Sequence, residues 1–422
     1  MRGTVPENDK VLQIRQARGQ FAAMAGAYFM GNFNDNFFKQ AVMLLAVAAL
    51  QEQFQGYVVI AFSVPFMLFA APAGWMADRF PKRNVVIAAK GTELAAACIG
   101  AIGVLTGHLW VMVGMVGLMG VQSTFFSPAL NGSIPEVYPA SYVIKANAIL
   151  RMIVNIGILI GISLAGPILD LKGPVILGAA HGRGVLGLCV VGFAILGLVV
   201  SFGTPSRPPA DPRRAFPWSG PLDTLRELAN VWKDHQLGRI LLADVFIWAM
   251  GVFQVQVINP LGVNQFSLGK TGAGLLVAAQ MLGLAGGSLL SARFAKGARW
   301  FRVLIPAGLG MAILMGAIAL VPLAPGSFQV PLVFSLIGLA GVAGGLFLIP
   351  CESFLQTRPA PARKGAVWAS ANFASFAGMA MAGALYIPLK FMKPTLAYGV
   401  LGILALLFTA WLAAEFRKKE WA

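Results

Sequence analysis

Residues 74–83 read Gly74-Trp75-Met76-Ala77-Asp78-Arg79-Phe80-Pro81-Lys82-Arg83. The charged part of this stretch, Asp78 to Arg83, separates two apolar runs, approximately 57–77 and 84–106. Each run has about the 20 residues that one helical crossing of a bilayer requires. Outward from it the alternation repeats. One run precedes it at 20–50, and others follow at 109–130, 144–169 and 185–202. After an interruption come 239–258, 271–292, 303–321, 330–350, 366–388 and 395–414. Six runs, a break and six more predict an all-α integral membrane protein with twelve transmembrane helices in two six-helix bundles, over 1–202 and 239–422. The break, 203–238, holds Pro205, Pro208, Pro209, Pro212, Pro217 and Pro221 before the helical-looking run 222–232. So many prolines exclude a membrane helix and predict a cytoplasmic linker that ends in a short interfacial helix.

Composition agrees. Of 422 residues, 58% are hydrophobic and 11% charged, whereas a soluble domain has about a quarter of its residues charged. The mean hydropathy is +0.75. A soluble domain is excluded. The first twenty residues are polar and the apolar run after them is long and interrupted, so a first span is expected rather than a cleavable signal. Cys98, Cys189 and Cys351 are odd in number and far apart; they suggest no disulfide framework, metal site or cofactor.

Lys and Arg number 32 against 16 Asp and Glu, a net charge of +16. With both termini cytoplasmic, 23 of the basic residues fall in cytoplasmic segments. Five (Lys172, Arg183, Lys270, Lys390 and Lys393) fall on the opposite side. That asymmetry is what the positive-inside rule predicts. The basic residues are scattered, with no aromatic interleaving, so the charge speaks for anionic membrane lipid and against nucleic acid.

Charge inside a span costs about 2.5–3.5 kcal/mol at the helix centre, so such residues are expected to line protein or water. In the first span Asn32, Asp35, Asn36 and Lys39 recur at helical spacing on one side. Two readings stand: a structural Asp35–Lys39 pair one turn apart, or contact with substrate or a proton. Asn147, Arg151 and Asn155 form a second stripe in span five, where Arg151 suits a phosphate headgroup or a neighbouring carboxylate. Lys90 and Glu93 in span three read as a packing pair. Asp244 in span seven is a candidate for coupling or gating. Gln254 and Gln256, with Asn259, line the outer end of that span, and Gln122 lies in span four. No nucleotide-binding or hydrolase motif is present, so neither enzymatic activity nor ATP-driven transport is expected.

The 74–83 stretch resembles the cytoplasmic loop signature of the major facilitator superfamily, Gly-x-x-x-Asp-Arg-x-Gly followed by two basic residues, with Pro81 in place of the second glycine. The resemblance implies that Gly74 lets a facing helix approach closely. It implies that Asp78 latches on a helix N-terminus or basic partner, with Arg79, Lys82 and Arg83 completing a cytoplasmic gate. The second half keeps only an echo, Gly287-Ser-Leu-Leu-Ser291-Ala-Arg293-Phe-Ala-Lys296, without the carboxylate.

Four further segments narrow the likeness. They are residues 31–39, Gln122-Ser-Thr-Phe-Phe-Ser-Pro128, Lys145-Ala-Asn147, and 341–356, which contains Gly341-Val-Ala-Gly-Gly345 and Cys351-Glu352. Together they resemble the lysophospholipid transporter family of Gram-negative inner membranes, including transporter halves fused to acyltransferase and acyl-carrier-protein synthetase domains. The resemblance implies inward flipping of lysophosphatidylethanolamine-like lipids, with Asp35, Asn36 and Asn147 matching family positions. It implies a multi-pass inner-membrane location and reacylation by an acyltransferase, here expected as a separate protein. A monomer is expected. Three charged family positions are neutral here: Leu130 replaces a lysine, Val255 an arginine and Ser375 a glutamate. The phenylalanines Phe33, Phe37, Phe38, Phe125 and Phe126 beside polar residues suit a cavity for an amphiphile. The alternative is a proton-coupled exporter of drugs or small amphiphilic metabolites on the same scaffold.

Overall fold

The computed structural model describes residues 7–295, 297, 300–360 and 363–418. Arg2, Lys296, Arg299 and Lys419, counted above among the cytoplasmic charges, lie outside these. The described chain is helical, in the order α1 (Glu7–Ala48), α2 (Gln53–Arg79), α3 (Lys82–Thr106), α4 (Leu109–Val137), α5 (Ala140–Leu169) and α6 (His181–Ser201). Then follow α7 (Gly220–Lys233), α8 (His235–Pro260), α9 (Gly269–Phe294), α10 (Leu304–Leu320), α11 (Gly326–Thr357), α12 (Lys364–Leu389) and α13 (Pro394–Glu415). Each apolar run of the sequence falls on one of these helices to within two residues at either end, and α7 falls in the proline-rich interval.

Eleven helices among the described residues are long and apolar enough to cross a membrane, not the twelve expected. The exception is α1. Its 42 residues make about 63 Å of helix, twice a hydrocarbon core. The polar positions from Asn32 to Lys39, however, dilute its apolar character. The 14-residue α7 is too short, and its Asp223 in the first turn and Lys233 in the last complement the helix dipole.

The helix ends follow local chemistry. α3 stops at Gly107, whose φ of +79° forms a left-handed cap with its N–H on Gly103 O. Asp234 caps α8 by accepting from the Leu237 N–H at 3.1 Å, and Arg358 Nε donates to its other oxygen at 3.3 Å. Pro128, Pro135, Pro167 and Pro350 sit inside helices, which membrane helices tolerate because neighbours satisfy the freed carbonyls.

The chain divides into two compact units. One holds Met1–Gln40, Leu68–Leu164 and Leu171–Gly220; the other holds Ala41–Met67, Ala165–Asp170 and Pro221–Ala422. In the first, Met24, Ala27, Val86, Phe126, Leu130, Ile134 and Leu150 form a buried core. The backbone of α1 at Phe29 and Phe33 lies against Gly157 and Gly161 of α5; a Cβ on Gly161 would stand 2.5 Å from Phe33 O. In the second, α9 and α11 meet along glycines. A Cβ would stand 2.0 Å from backbone oxygen at Gly283 and Gly287, 2.2 Å at Gly341 and 2.1 Å at Gly345. In lipid no hydrophobic force drives helices together, so close approach of this kind supplies the dispersion energy that joins them.

Candidate functional site

The stripe on α1 is hydrogen-bonded in two ways. Asn32 and Asn36 donate to carbonyls of their own helix, Tyr28 O at 2.9 Å and Asn32 O at 2.8 Å. Asp35 is 4% exposed and reaches α4. Ser123 Oγ donates to Oδ2 at 2.5 Å and Gln122 Nε2 to Oδ1 at 3.5 Å, with Gln122 Nε2 also 2.8 Å from Ser123 Oγ. Two neutral donors therefore hold this carboxylate. Lys39, one turn on, acts on it electrostatically, as do Glu93 and Lys90. The structure thus brings Asp35 and Gln122 together, with Ser123 as the bridging hydroxyl.

A second polar centre lies behind the stripe. Lys90 and Glu93 of α3 are 0% exposed and pair at 2.6 Å. Asn34 on α1 donates to Glu93 Oε1 at 3.4 Å and to Val190 O on α6 at 3.2 Å. The Lys90 ammonium stands 4.7 Å from the Phe126 ring centroid. A Cβ on Gly31 would sit 2.7 Å from Lys90 Nζ, so glycine there makes room for the ammonium. This cluster ties three helices. The sequence stripe missed Asn34, which points away from the face that Asn32 and Asp35 share.

The phenylalanines need a correction. Phe33, Phe37, Phe38 and Phe126 are buried in helix packing rather than lining an amphiphile cavity. Phe33 stacks on Phe37 at 5.4 Å and meets Phe193 of α6 at 4.3 Å. Phe125 alone of the five is half-buried, against Phe69 at 6.1 Å.

On α5, Asn147, Arg151 and Asn155 are exposed along one side of the helix, with Met152 and Ile156 exposed beside them. On α8, Asp244 is buried and accepts from Ser375 Oγ of α12 at 2.9 Å, while its Oδ1 has no partner among the described residues. Gln254 Oε1 and both side-chain amide atoms of Gln256 are likewise buried without partners. Gln55 of α2 is tied to the same helix: its Nε2 donates to Gln256 O at 3.1 Å and its Oε1 accepts from Asn259 Nδ2 at 2.8 Å. Among the described residues no group of three or more His, Cys, Asp or Glu side chains could hold a metal ion.

The 74–83 stretch is anchored through its charges. Asp78 Oδ2 pairs with Arg214 of the proline-rich segment. Arg79 Nη1 and Trp75 Nε1 both donate to Arg214 O at 2.9 Å. Arg83 Nη2 donates to Phe202 O at 2.8 Å, and Lys82 pairs with Glu136 at the end of α4. Asp78 thus has a basic partner, supplied by the linker. Pro81 precedes α3 with φ −54°, a conformation that needs no glycine. Gly74 departs from expectation: a Cβ there would meet nothing within 4 Å among the described residues, so no close helix contact at this position requires glycine. Close approach occurs at its counterpart in the echo, Gly287.

Buried carboxylates and amides on apolar helices, with charged turns between them, mark a multi-pass membrane protein with polar groups inside its spans. The chain belongs to the Major Facilitator Superfamily, whose family model matches residues 19–383. It is 27% identical to the lysophospholipid transporter LplT of Serratia proteamaculans (strain 568) over 85% of this chain and 84% of that one. Against the lysophospholipid transporter LplT of Yersinia enterocolitica the identity is 26%, over 81% and 80%. Among solved structures it resembles a D-xylose-proton symporter with a TM-score of 0.67, at 18% identity, covering 95% of this chain and 97% of that one. That likeness speaks for the fold alone.

Proposed function

We propose that the chain moves lysophospholipids of the lysophosphatidylethanolamine kind from the outer to the inner leaflet by alternating access. In this reading α1 is the twelfth span, the bundles are 1–202 and 239–422 joined by a cytoplasmic linker over 203–238, and the protein works as a monomer in a bacterial inner membrane. Both termini are cytoplasmic, and a separate acyltransferase consumes the product. The likeness to lysophospholipid transporters over four fifths or more of both chains supports the substrate class. The observation that carries the site is the Asp35 carboxylate, buried in a span and held across α1 and α4 by Ser123 and Gln122. Asp35 orients the amine or takes a proton, Asn36 assists, and Arg151 attracts phosphate, with Asn32, Lys39 and Asn147 on the same route. Asp244, Gln254 and Gln256 serve coupling or headgroup contact in the second half. Gly74, Asp78, Arg79, Lys82 and Arg83 belong to the cytoplasmic gate.

The test is leaflet movement of labelled lysophosphatidylethanolamine in proteoliposomes, native protein against Asp35→Asn. Movement that is lost in the variant, with insertion intact, supports class and site together. Equal flux in both removes Asp35 from the mechanism, and no flux in the native protein removes the substrate. The neutral positions Leu130, Val255 and Ser375 favour a second reading, proton-coupled export of a soluble or amphiphilic molecule. Proton-dependent flux of such a molecule, without competition from lysolipid, would select it.

A further inference from the structure

Within the second unit lies a cleft whose lining does not include Asp244. The α1–α2 turn, the π-helical turn Leu261–Gln265 that continues α8, and the α12–α13 turn border an open cleft of about 310 Å³ there. Small-molecule sites start at about 300 Å³. Its walls include Glu52, Asn264, Gln265, Lys390, Met392 and Lys393.

Glu52 and Lys390 are each held by hydrogen bonds to neutral groups. Glu52 accepts from Asn264 Nδ2 at 2.8 Å on one oxygen and from the Tyr386 hydroxyl at 3.2 Å on the other. Its partners are neutral donors, not cations. Burial pushes the Glu52 carboxyl above its ordinary value, against the opposing bonds from Tyr386 and Asn264 and the charge of Lys390. A desolvated carboxylate in that position gains from a cation brought by a ligand. Lys390 Nζ donates to Gln53 Oε1 at 2.9 Å and stands 4.8 Å from the Phe391 ring centroid. Lys393 is exposed at the start of α13. One wall therefore offers two ammonium groups and another a carboxylate, the complement of a zwitterion carrying phosphate and a primary amine.

Position adds a second argument. The side of the chain away from the basic loops holds five of the 32 Lys and Arg residues, and two of those five line this cleft. Beside them Phe391 is 86% exposed, an apolar step next to the cationic rim. An amphipathic rim of this kind seats at a lipid interface.

We propose that this cleft is a first docking site for the phosphoethanolamine headgroup of a monoacyl lipid in the outer leaflet, with Lys390 and Lys393 taking the phosphate and Glu52 the ammonium. It rests on the lysophospholipid reading and adds the point of entry. Capture here precedes any contact with Asp35.

The test is protection of a Met392→Cys chain from a membrane-impermeant maleimide in intact spheroplasts, with labelling of the parent chain subtracted. Lysophosphatidylethanolamine is expected to slow labelling, and a monoacylglycerol of the same chain length to leave it unchanged. Adding Lys390→Gln and Lys393→Gln should raise the half-protecting concentration about tenfold, the scale of one charge-assisted hydrogen bond. Adding Glu52→Gln should weaken protection by lysophosphatidylethanolamine and spare protection by lysophosphatidylglycerol. If the double lysine variant does not fold, as judged by its size-exclusion profile, the Glu52→Gln comparison decides. Absence of protection, protection that survives the lysine changes, or equal protection by monoacylglycerol would overturn the docking site. Lysolipid flux measured in parallel separates the two ideas: flux without protection removes this site alone, and protection without flux removes the transport reading alone.

Discussion

Ser375 Oγ on α12 donates to Asp244 Oδ2 on α8 at 2.9 Å, both buried. The sequence resemblance implies a glutamate at the Ser375 position in lysophospholipid transporters; here Asp244 sets a carboxylate one hydrogen bond away on the adjoining helix. A Ser375→Glu change would set two carboxylates against each other in a dry interface. The expected result is a loss of about 3–5 kcal/mol, the cost of an uncompensated buried charge, with flux reduced in step. Ser375→Glu combined with Asp244→Ser should recover most of both. Thermal unfolding in detergent and proteoliposome flux read the outcome, and a fully stable, active single variant would refute the exchange.

The Lys90–Glu93 pair should behave as a structural tie. Lys90→Met leaves Glu93 buried without its cation and, among the described residues, hydrogen-bonded by the Asn34 side chain, and is expected to cost about 3–5 kcal/mol. Lys90→Met with Glu93→Leu should regain most of that loss. Monodisperse yield and thermal midpoint check it; a harmless single variant would show that the pair is not needed.

Asp170 gives a pH signature. Burial pushes its carboxyl up, but hydrogen bonds from Lys270 at 2.7 Å and from the Thr271 amide and hydroxyl outweigh that and hold it below the ordinary value. With a depressed folded-state value, the stabilisation is full above the unfolded value of about 3.9 and is lost as pH falls through the folded one. The thermal midpoints of native protein and Asp170→Asn should therefore differ most near neutrality and converge as the pH falls below the unfolded-state value. A gap that widened in acid would contradict the assignment.

Two glycines should respond in opposite ways. At Gly341 a Cβ would stand 2.2 Å from Gln280 O, so Gly341→Ala must push α9 and α11 apart. A loss of about 1–3 kcal/mol is expected, as for overpacking elsewhere. At Gly74 there is open space, and Gly74→Ala should leave folding unchanged. Equal thermal midpoints for Gly341→Ala and native protein would refute the close packing.

Much of the fold was legible because apolar runs report the bilayer directly. The run at 20–50 begins well after α1 does, since residues 7–20 are polar yet helical and a hydropathy reading sees only what lipid contacts. The same effect hides the extension of α11 to Thr357. Asp35 was legible as a charge where charge is costly. Its partners were not: Gln122 lies 87 residues away, and only the packing of α1 on α4 joins them. The partner of Asp78 came from a proline-rich segment with no periodicity to read. The buried phenylalanines show the opposite failure, because composition alone cannot tell a cavity wall from a packed interface.

The glycine seam between α9 and α11 has a mechanical meaning. Two helices in backbone contact at Gly283, Gly287, Gly341 and Gly345 have no side-chain cushion to slide on, so they travel as one plank through any transport cycle. Spin labels on their outer faces should keep one fixed separation in every condition. That pair would serve as an internal ruler against which the excursions of all other helices are measured.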